Sequence, residues 1–411
     1  MKTKRVVLLG STGSIGQSAV SIFGEAPDLF RAVGLAAGKN AAKVAQDATR
    51  LGCRSVALSD EAAAADARSM LASSGIEVYG GADAAARLAA ETDADVVLCA
   101  ISGMAALRTV LAAIDSGKDV ALTTKEVLVS AGALVLERAR RKGVAILPVD
   151  SEHSAIFQLL GAAGMEPPCL RGRTQGRTAS GSAPAERPGA VAKLWLTASG
   201  GPFFFDEKFD PDSVSPGEAL NHPKWKMGPK VTVDSSTMMN QGLEIIEAAR
   251  LFGLPQSRIG VLVHPQSVVH SLVELHDGAQ LAQLGMPDMR LPIQFALAWP
   301  DRPANAALPR LDLASAGPLS FHLPDERRFP CLALAREAEE SGGLVPCAMN
   351  AADEVAVERF LAGEMRWSDI ARAVEAAMHE ASPGSSPPSL EDILEADAAA
   401  RVSARRFRAP A

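Results

Sequence analysis

The sequence predicts an α/β protein: a Rossmann-like doubly wound parallel sheet at the N-terminus, a central α+β part with a flexible flap, and an α-helical C-terminal part. Three observations carry that expectation. Short β-type runs alternate with Ala-rich helical stretches over the first 149 residues, the pattern of βαβ units with parallel strands. A Gly-rich turn follows the first run and opens a helix. Pro-rich sequence at 300–309 then gives way to a tail of helical stretches.

With 411 residues, the chain exceeds what a single hydrophobic core serves, so two or three domains are expected. The β runs of the first, residues 1–149, lie at 5–9, 32–35, 55–58, 96–100, 120–122 and 145–147. The stretches between them, such as 83–90 and 132–142, suit helices, and a sheet of this kind binds ligands at the carboxyl ends of its strands. The second domain, 150–298, has strand-like runs at 193–197, 231–233 and 260–275. Within it, 171–190 is low in complexity and lacks a hydrophobic period, which predicts a mobile, solvated loop despite its arginines. A linker at 299–324 leads to a helical domain at 325–411. Its helices are expected at 330–341, 348–362 and 367–381, and a last one opens on the capping box Ser389-Leu390-Glu391-Asp392.

Composition narrows the function. The formal charge of -7 and a pI near 5.6 argue against general nucleic-acid binding and against a polybasic membrane surface. No apolar run approaches the roughly 18 residues that span a bilayer, and the first five residues lead only into a short strand, unlike a secretion signal. The five cysteines are scattered without a CxxC pair, which suits a reducing cytoplasm.

Gly10-Ser11-Thr12-Gly13-Ser14-Ile15-Gly16 stands between the first strand and its helix. Glycines there permit a tight turn and let backbone N–H groups approach a pyrophosphate, which the helix N-terminus also favours. The spacing is GxxGxxG, and the strand–loop–helix context supports a dinucleotide over a merely structural turn. After the second strand comes Gly38-Lys39-Asn40, without the acidic residue that usually meets an NAD ribose. That favours NADP.

At the end of another apolar run stands Asp150-Ser151-Glu152. In an extended chain, residues two apart point the same way, so the two carboxylates would converge on one cation or proton. Acidic pairs after strands are common, and so is a lone lysine such as Lys125, whose credential is its place after a strand on the same crevice. The stretch 233–244 adds Ser235, Asn240 and Glu244, with Glu244 one helical turn beyond Asn240. Its bland reading is a capped helix start on Ser235 or Ser236. In the sharper reading, Asp150, Glu152 and Glu244 form an all-oxygen site, which selects Mg²⁺ or Mn²⁺ over zinc. Segments 196–203 and 221–228 combine glycine and proline with Ser199, His222 and Trp225. They read equally as a closing lid and as an irregular packed loop. His264 and His270, in one β-type run, are expected to share a strand face and to be structural.

Taken together these segments resemble the 1-deoxy-D-xylulose 5-phosphate reductoisomerase family. The resemblance spans nearly the whole chain: GSTGSIG at 10–16, AGKN at 37–40, KE at 125–126, PVDSEHSAIFQ at 148–158, LTASGGPF at 196–203, HPKWKMG at 222–228, HPQSVVHS at 264–271, LAQLGMPDMR at 281–290, NAADEVAV at 350–357 and LEDILEADA at 390–398. It implies a homodimer that uses NADPH and a divalent ion to rearrange and reduce a small phosphorylated ketose. Thr12, Gly13, Ser14, Ile15, Gly38, Lys39, Asn40, Thr124, Glu126 and Gly228 would bind NADPH. Asp150, Glu152 and Glu244 would hold the metal, and with Lys125 and His222 they would form the catalytic set. Lys125, Ser151, Glu152, Ser199, His222, Trp225, Ser235, Asn240, Gln241 and Glu244 would contact substrate, under a flap at about 199–229. Two positions depart from the family pattern. Gln241 replaces its usual lysine, a charge-assisted bond worth roughly 1.5–3 kcal/mol, and Thr124 replaces its usual asparagine. They keep two competitors open, a different oxidoreductase on the same scaffold and an NADP-binding protein without turnover.

Overall fold

The structure, a computed structural model, describes residues 2–170, 191–384 and 386–408. The N-terminal part runs β1 (Lys4–Leu9), α1 (Ser14–Glu25), β2 (Phe30–Ala37), α2 (Ala41–Leu51), β3 (Ser55–Leu58), α3 (Glu61–Met70), β4 (Glu77–Gly80), α4 (Ala84–Glu91), β5 (Val96–Cys99), α5 (Leu107–Asp115), β6 (Asp119–Leu122), α6 (Lys125–Lys142) and β7 (Ile146–Pro148). The seven strands pair in parallel in the order β4-β3-β2-β1-β5-β6-β7. The order reverses between β1 and β5, which opens a crevice at their carboxyl ends. Val6 to Leu9 and Val97 to Cys99 are wholly buried, because βαβ crossovers cover both faces of such a sheet. The edge strand β4, with the sequence EVYG, buries only Tyr79 and had too little apolar signal to be read from sequence.

The central part runs α7 (Ser151–Ala162), β8 (Val191–Ala198), α8 (Pro216–Ala219), α9 (Pro229–Thr237), α10 (Met239–Phe252), β9 (Ile259–Val263), β10 (Val269–Leu275), β11 (Gln280–Leu284) and α11 (Arg290–Ala298). Its sheet has the order β11-β10-β8-β9. β8 is parallel to β9 and antiparallel to β10.

Three expectations are corrected here. Residues 231–233 lie inside α9, because Pro229 at the first helical position presets helical φ and outweighs three residues of β propensity. The run 260–275 is two strands, broken where Pro265 lacks an N–H and Ser267 takes a φ of 53°, and β8 passes between the halves. His264 therefore sits in the turn and does not share a strand face with His270. The expected mobile loop at 171–190 lies outside the described residues.

Residues 299–329 carry only a bridge between Val263 and His322. Then follow α12 (Pro330–Ser341), α13 (Val345–Leu361), α14 (Ser368–Glu380) and α15 (Leu390–Arg406). The last helix opens on the reciprocal Ser389–Asp392 capping box that its sequence predicts. These helices share an apolar core with Val129 of α6 and with Met239, Leu243 and Ile246 of α10. The two helices that carry Lys125 and Glu244 thus rest on the C-terminal part.

Candidate active site

The acidic pair converges by a different geometry from the expected one. Asp150 is the N-cap of α7, where its side chain accepts from the Glu152 N–H at 3.4 Å, and Glu152 stands in the first turn. A cap carboxylate folds back over its helix start, which turns it toward Glu152. The third carboxylate arrives on α10. Single ligand atoms of Asp150, Glu152 and Glu244 all lie within 4.8 Å of one another. Ser235 and Ser236 cap nothing: they close α9, and Met238, at a φ of 61°, turns the chain into α10.

Lys125, at the start of α6, reaches into this group. Its Nζ lies 2.8 Å from Asp150 Oδ2, 2.7 Å from Glu244 Oε1 and 2.7 Å from Asn240 Oδ1. Asn240 also donates to Glu244 Oε1 at 2.5 Å. Burial works against the Lys125 charge, but Asp150 and Glu244 outweigh it and hold the ammonium well above its usual range. Burial would likewise raise Asp150, yet Lys125 keeps it well below the usual carboxylate range. Glu152 has no such partner among the described residues, so burial, then Glu244 and Asp150, push it well up. Three carboxylates and one ammonium sum to two negative charges when fully ionised. Glu244 Oε2 is buried without a hydrogen-bond partner among the described residues. The donor set therefore fits a hard divalent cation.

His153 was missed as a contributor, although it lies in the same motif. Its Nε2 lies 2.9 Å from the Glu244 carbonyl oxygen, and its Nδ1 lies 3.3 Å from both Asp150 Oδ1 and Glu247 Oε2. Burial opposes its charge, but Glu247 and Asp150 raise it to about 9. Ser271 on β10 donates to the Glu152 carbonyl at 3.0 Å.

A group of neutral donors forms beside the carboxylates. Gly200 and Gly201, both at positive φ, turn the chain after β8, and a Cβ on Gly201 would sit 2.6 Å from the Ser235 carbonyl oxygen. Only glycine permits that approach, which brings the Ser199 loop against the end of α9. His222 Nε2 lies 2.8 Å from Ser199 Oγ, and its Nδ1 accepts from the N–H groups of Lys224 at 3.1 Å and Trp225 at 2.9 Å. Nδ1 is thus an acceptor, so the proton sits on Nε2 and points at Ser199. Burial lowers His222 to about 4. Trp225, half-buried, lines a small cavity with Ser151, Gln158, His270 and Met286. Gln241 is buried on α10.

The glycine loop lies at the carboxyl end of β1. Gly10 has a φ of 80°, and a Cβ there would sit 2.3 Å from the Ala100 carbonyl oxygen; one on Gly16 would sit 2.2 Å from the Gly10 carbonyl oxygen. Gly13 caps α1 without a side-chain hydrogen bond, which leaves the first-turn N–H groups to an anion. Thr12, Ser14 and Ile15 are at least partly exposed, and Gly38, Lys39 and Asn40 are exposed just past β2. Asn40 also caps α2 by accepting from the Lys43 N–H at 3.1 Å. This cradle fits a dinucleotide phosphate. Thr124 caps α6 but donates its hydroxyl to the Ile101 carbonyl. Glu126 is buried beside it, and Gly228 is the exposed N-cap of α9.

Comparison with known proteins agrees across the chain. Residues 6–132 match the family profile described as 1-deoxy-D-xylulose 5-phosphate reductoisomerase. Residues 146–252 match the 1-deoxy-D-xylulose 5-phosphate reductoisomerase C-terminal domain, and 284–403 match the DXP reductoisomerase C-terminal domain. The reductoisomerase of Moorella thermoacetica is 46% identical over 398 residues, which cover 97% of this chain and 96% of that one. That of Rhodospirillum centenum is 47% identical, covering 97% and 92%. Among solved structures, the Zymomonas mobilis reductoisomerase in complex with NADPH superposes with a TM-score of 0.85 at 40% identity, covering 98% of each chain. A DOX-P reductoisomerase in complex with NADPH, fosmidomycin and magnesium gives 0.87 at 38%, covering 98% of this chain and 97% of that one. With relatives this similar along almost its entire length, the chain belongs to the 1-deoxy-D-xylulose 5-phosphate reductoisomerase family.

Proposed function

We propose that the chain catalyses the NADPH-dependent rearrangement and reduction of 1-deoxy-D-xylulose 5-phosphate to 2-C-methyl-D-erythritol 4-phosphate, in the non-mevalonate isoprenoid pathway. The observation that carries this reading is the convergence of Asp150, Glu152 and Glu244 around Lys125, within 4.8 Å for the three carboxylates. Asp150, Glu152 and Glu244 would hold Mg²⁺ or Mn²⁺, and the glycine loop with Gly38, Lys39 and Asn40 would hold NADPH. When bound, the cation supplies Lewis-acid polarisation of the ketose oxygens and NADPH supplies the hydride.

The chain's own residues do the rest. Ser199 Oγ accepts from the Gly201 N–H at 3.2 Å and faces the protonated Nε2 of His222. With both lone pairs engaged, its own proton is left to donate to a phosphate oxygen. Ser235 and Asn240 add neutral donors, and phosphate binding there supplies remote binding energy that orients the carbon skeleton. Lys125 balances the carboxylate charge with all three of its protons engaged. Trp225 covers the site and excludes water, which protects reactive fragments. Ser151, Thr124, Glu126, Gln241 and Gly228 complete the substrate and cofactor contacts.

A homodimer is consistent with the exposed edge strand β11, where Leu284 faces outward. A cytoplasmic location agrees with five free, buried cysteines. Among the described residues, no helix is long and apolar enough to cross a membrane. The test is NADPH oxidation by the full chain with deoxyxylulose phosphate and either cation, with the product identified. Turnover that survives complete chelation, or a product other than the methylerythritol phosphate, would overturn the reading.

A further inference from the structure

A second buried group of charges lies between the carboxylate site and the C-terminal helices; of its members only Glu126 has a part in the proposed chemistry, and Lys230, Asp234 and Asp353 have none. Lys230, the second residue of α9, places its Nζ 2.6 Å from Asp234 Oδ2, 3.0 Å from Asp353 Oδ2 on α13 and 3.7 Å from Glu126 Oε1 on α6. Asp234 and Asp353 are 1% and 0% exposed. Burial works against the Lys230 charge, but Asp234, Asp353 and Glu126 outweigh it and hold the ammonium well above its usual range. A buried ion set of this kind contributes little net stability over an apolar packing of the same shape, and its best-attested use is to specify register.

The register in question joins three elements. Lys230 follows Gly228-Pro229, where the proposed flap ends, and Glu126 follows Lys125 at the start of α6. Asp353 belongs to the C-terminal helices. The upstream end of the flap is fastened to the same part of the chain. Phe203 and Phe209 stack at 4.9 Å, and Trp367 meets them edge-on at 6.0 and 5.1 Å. Arg328 donates to the carbonyls of Phe203, Phe204 and Asp206 at 3.2, 3.1 and 2.9 Å. Trp367 also donates to Ser236 Oγ at 2.9 Å, one residue from Ser235. Both ends of the flap are therefore tied to residues 328–367, far in sequence from the carboxylates.

We infer that Lys230 and Asp353 are positioning residues: through Asp353, α13 holds the downstream hinge of the flap against the α6 terminus, so that the flap meets the carboxylate site in one register. What the flap closes over rests on the reductoisomerase reading; the fastening itself does not.

The test separates the two. Endoproteinase Lys-C digestion of the full chain, followed by mass spectrometry, reads the flap at its exposed Lys224 and Lys226 without any turnover. Asp353→Asn keeps the side-chain size and removes one of three negative charges around one cation, so it is the variant expected to stay folded; Lys230→Met is the companion. The expected result is cleavage after Lys224 and Lys226 accelerated about 5- to 10-fold, with no change at sites outside the flap. In the assay, the KM for the ketose rises by a similar factor, about 5- to 10-fold, with kcat within about 3-fold. Unchanged cleavage and KM in Asp353→Asn would overturn the inference, as would equal acceleration throughout the chain. If the flap loosens as expected in a protein that turns over no deoxyxylulose phosphate, the fastening stands and the reductoisomerase reading fails.

Discussion

Glu244 divides its two oxygens between different tasks. Oε1 takes Lys125 and Asn240, while Oε2 is buried with no hydrogen-bond partner among the described residues, a costly arrangement unless a cation completes it. Glu244→Gln keeps the shape and removes the charge; turnover is expected to fall at least about 100-fold while circular dichroism shows a native fold. His222 offers a pH test. Its folded-state value is depressed from 6.5 to about 4 by burial, so below pH 6.5 the unfolded chain takes up a proton that the folded one refuses. The stability that this group contributes is fully present above 6.5 and is lost as pH falls toward 4. An NMR titration of the His222 ring should show a midpoint near 4, and a midpoint near 6.5 would mean that the Ser199–His222 pair is not held as described. At this scale the site was legible as residue types, since carboxylates, hydroxyls and glycines announce their chemistry in sequence. Their partners were not: His153 meets Glu244 across 91 residues of chain, and no local pattern encodes such a contact.

Elements place these residues, and glycine decides one placement. Gly201 stands at a φ of 62° against the Ser235 carbonyl. In Gly201→Ala the left-handed backbone costs about 1–2 kcal/mol, and the added methyl pushes the Ser199 loop off α9. Thermal unfolding should show that loss, and the KM for the ketose should rise more than the KM for NADPH. The βαβ alternation was legible because buried parallel strands read as short apolar runs. The Val231–Val233 run misled because local β propensity cannot sense that Pro229 starts a helix with buried positions on most of its sides. The break at Pro265 was legible in principle, since a proline inside a β-type run demotes it.

Across the whole molecule, one arrangement serves the crevice: the parallel sheet presents the glycine loop, the central part presents the carboxylates, and the C-terminal helices support both α6 and α10. The cysteines belong to this packing. Burial pushes Cys53, Cys169 and Cys347 up to about 12 and Cys99 up to about 11, with Cys331 raised in the same direction. A thiol reagent at pH 8 should leave all of them unmodified in the native chain and react with all five after denaturation. The most direct test of the carboxylate site is a calorimetric titration of Mn²⁺ into the full-length chain and into Glu244→Gln. The expected result is one cation per wild-type chain and an affinity at least about 10-fold weaker in the variant, at least about 1.4 kcal/mol. Equal affinity and stoichiometry in the two proteins would place the cation elsewhere and contradict the assignment of Asp150, Glu152 and Glu244.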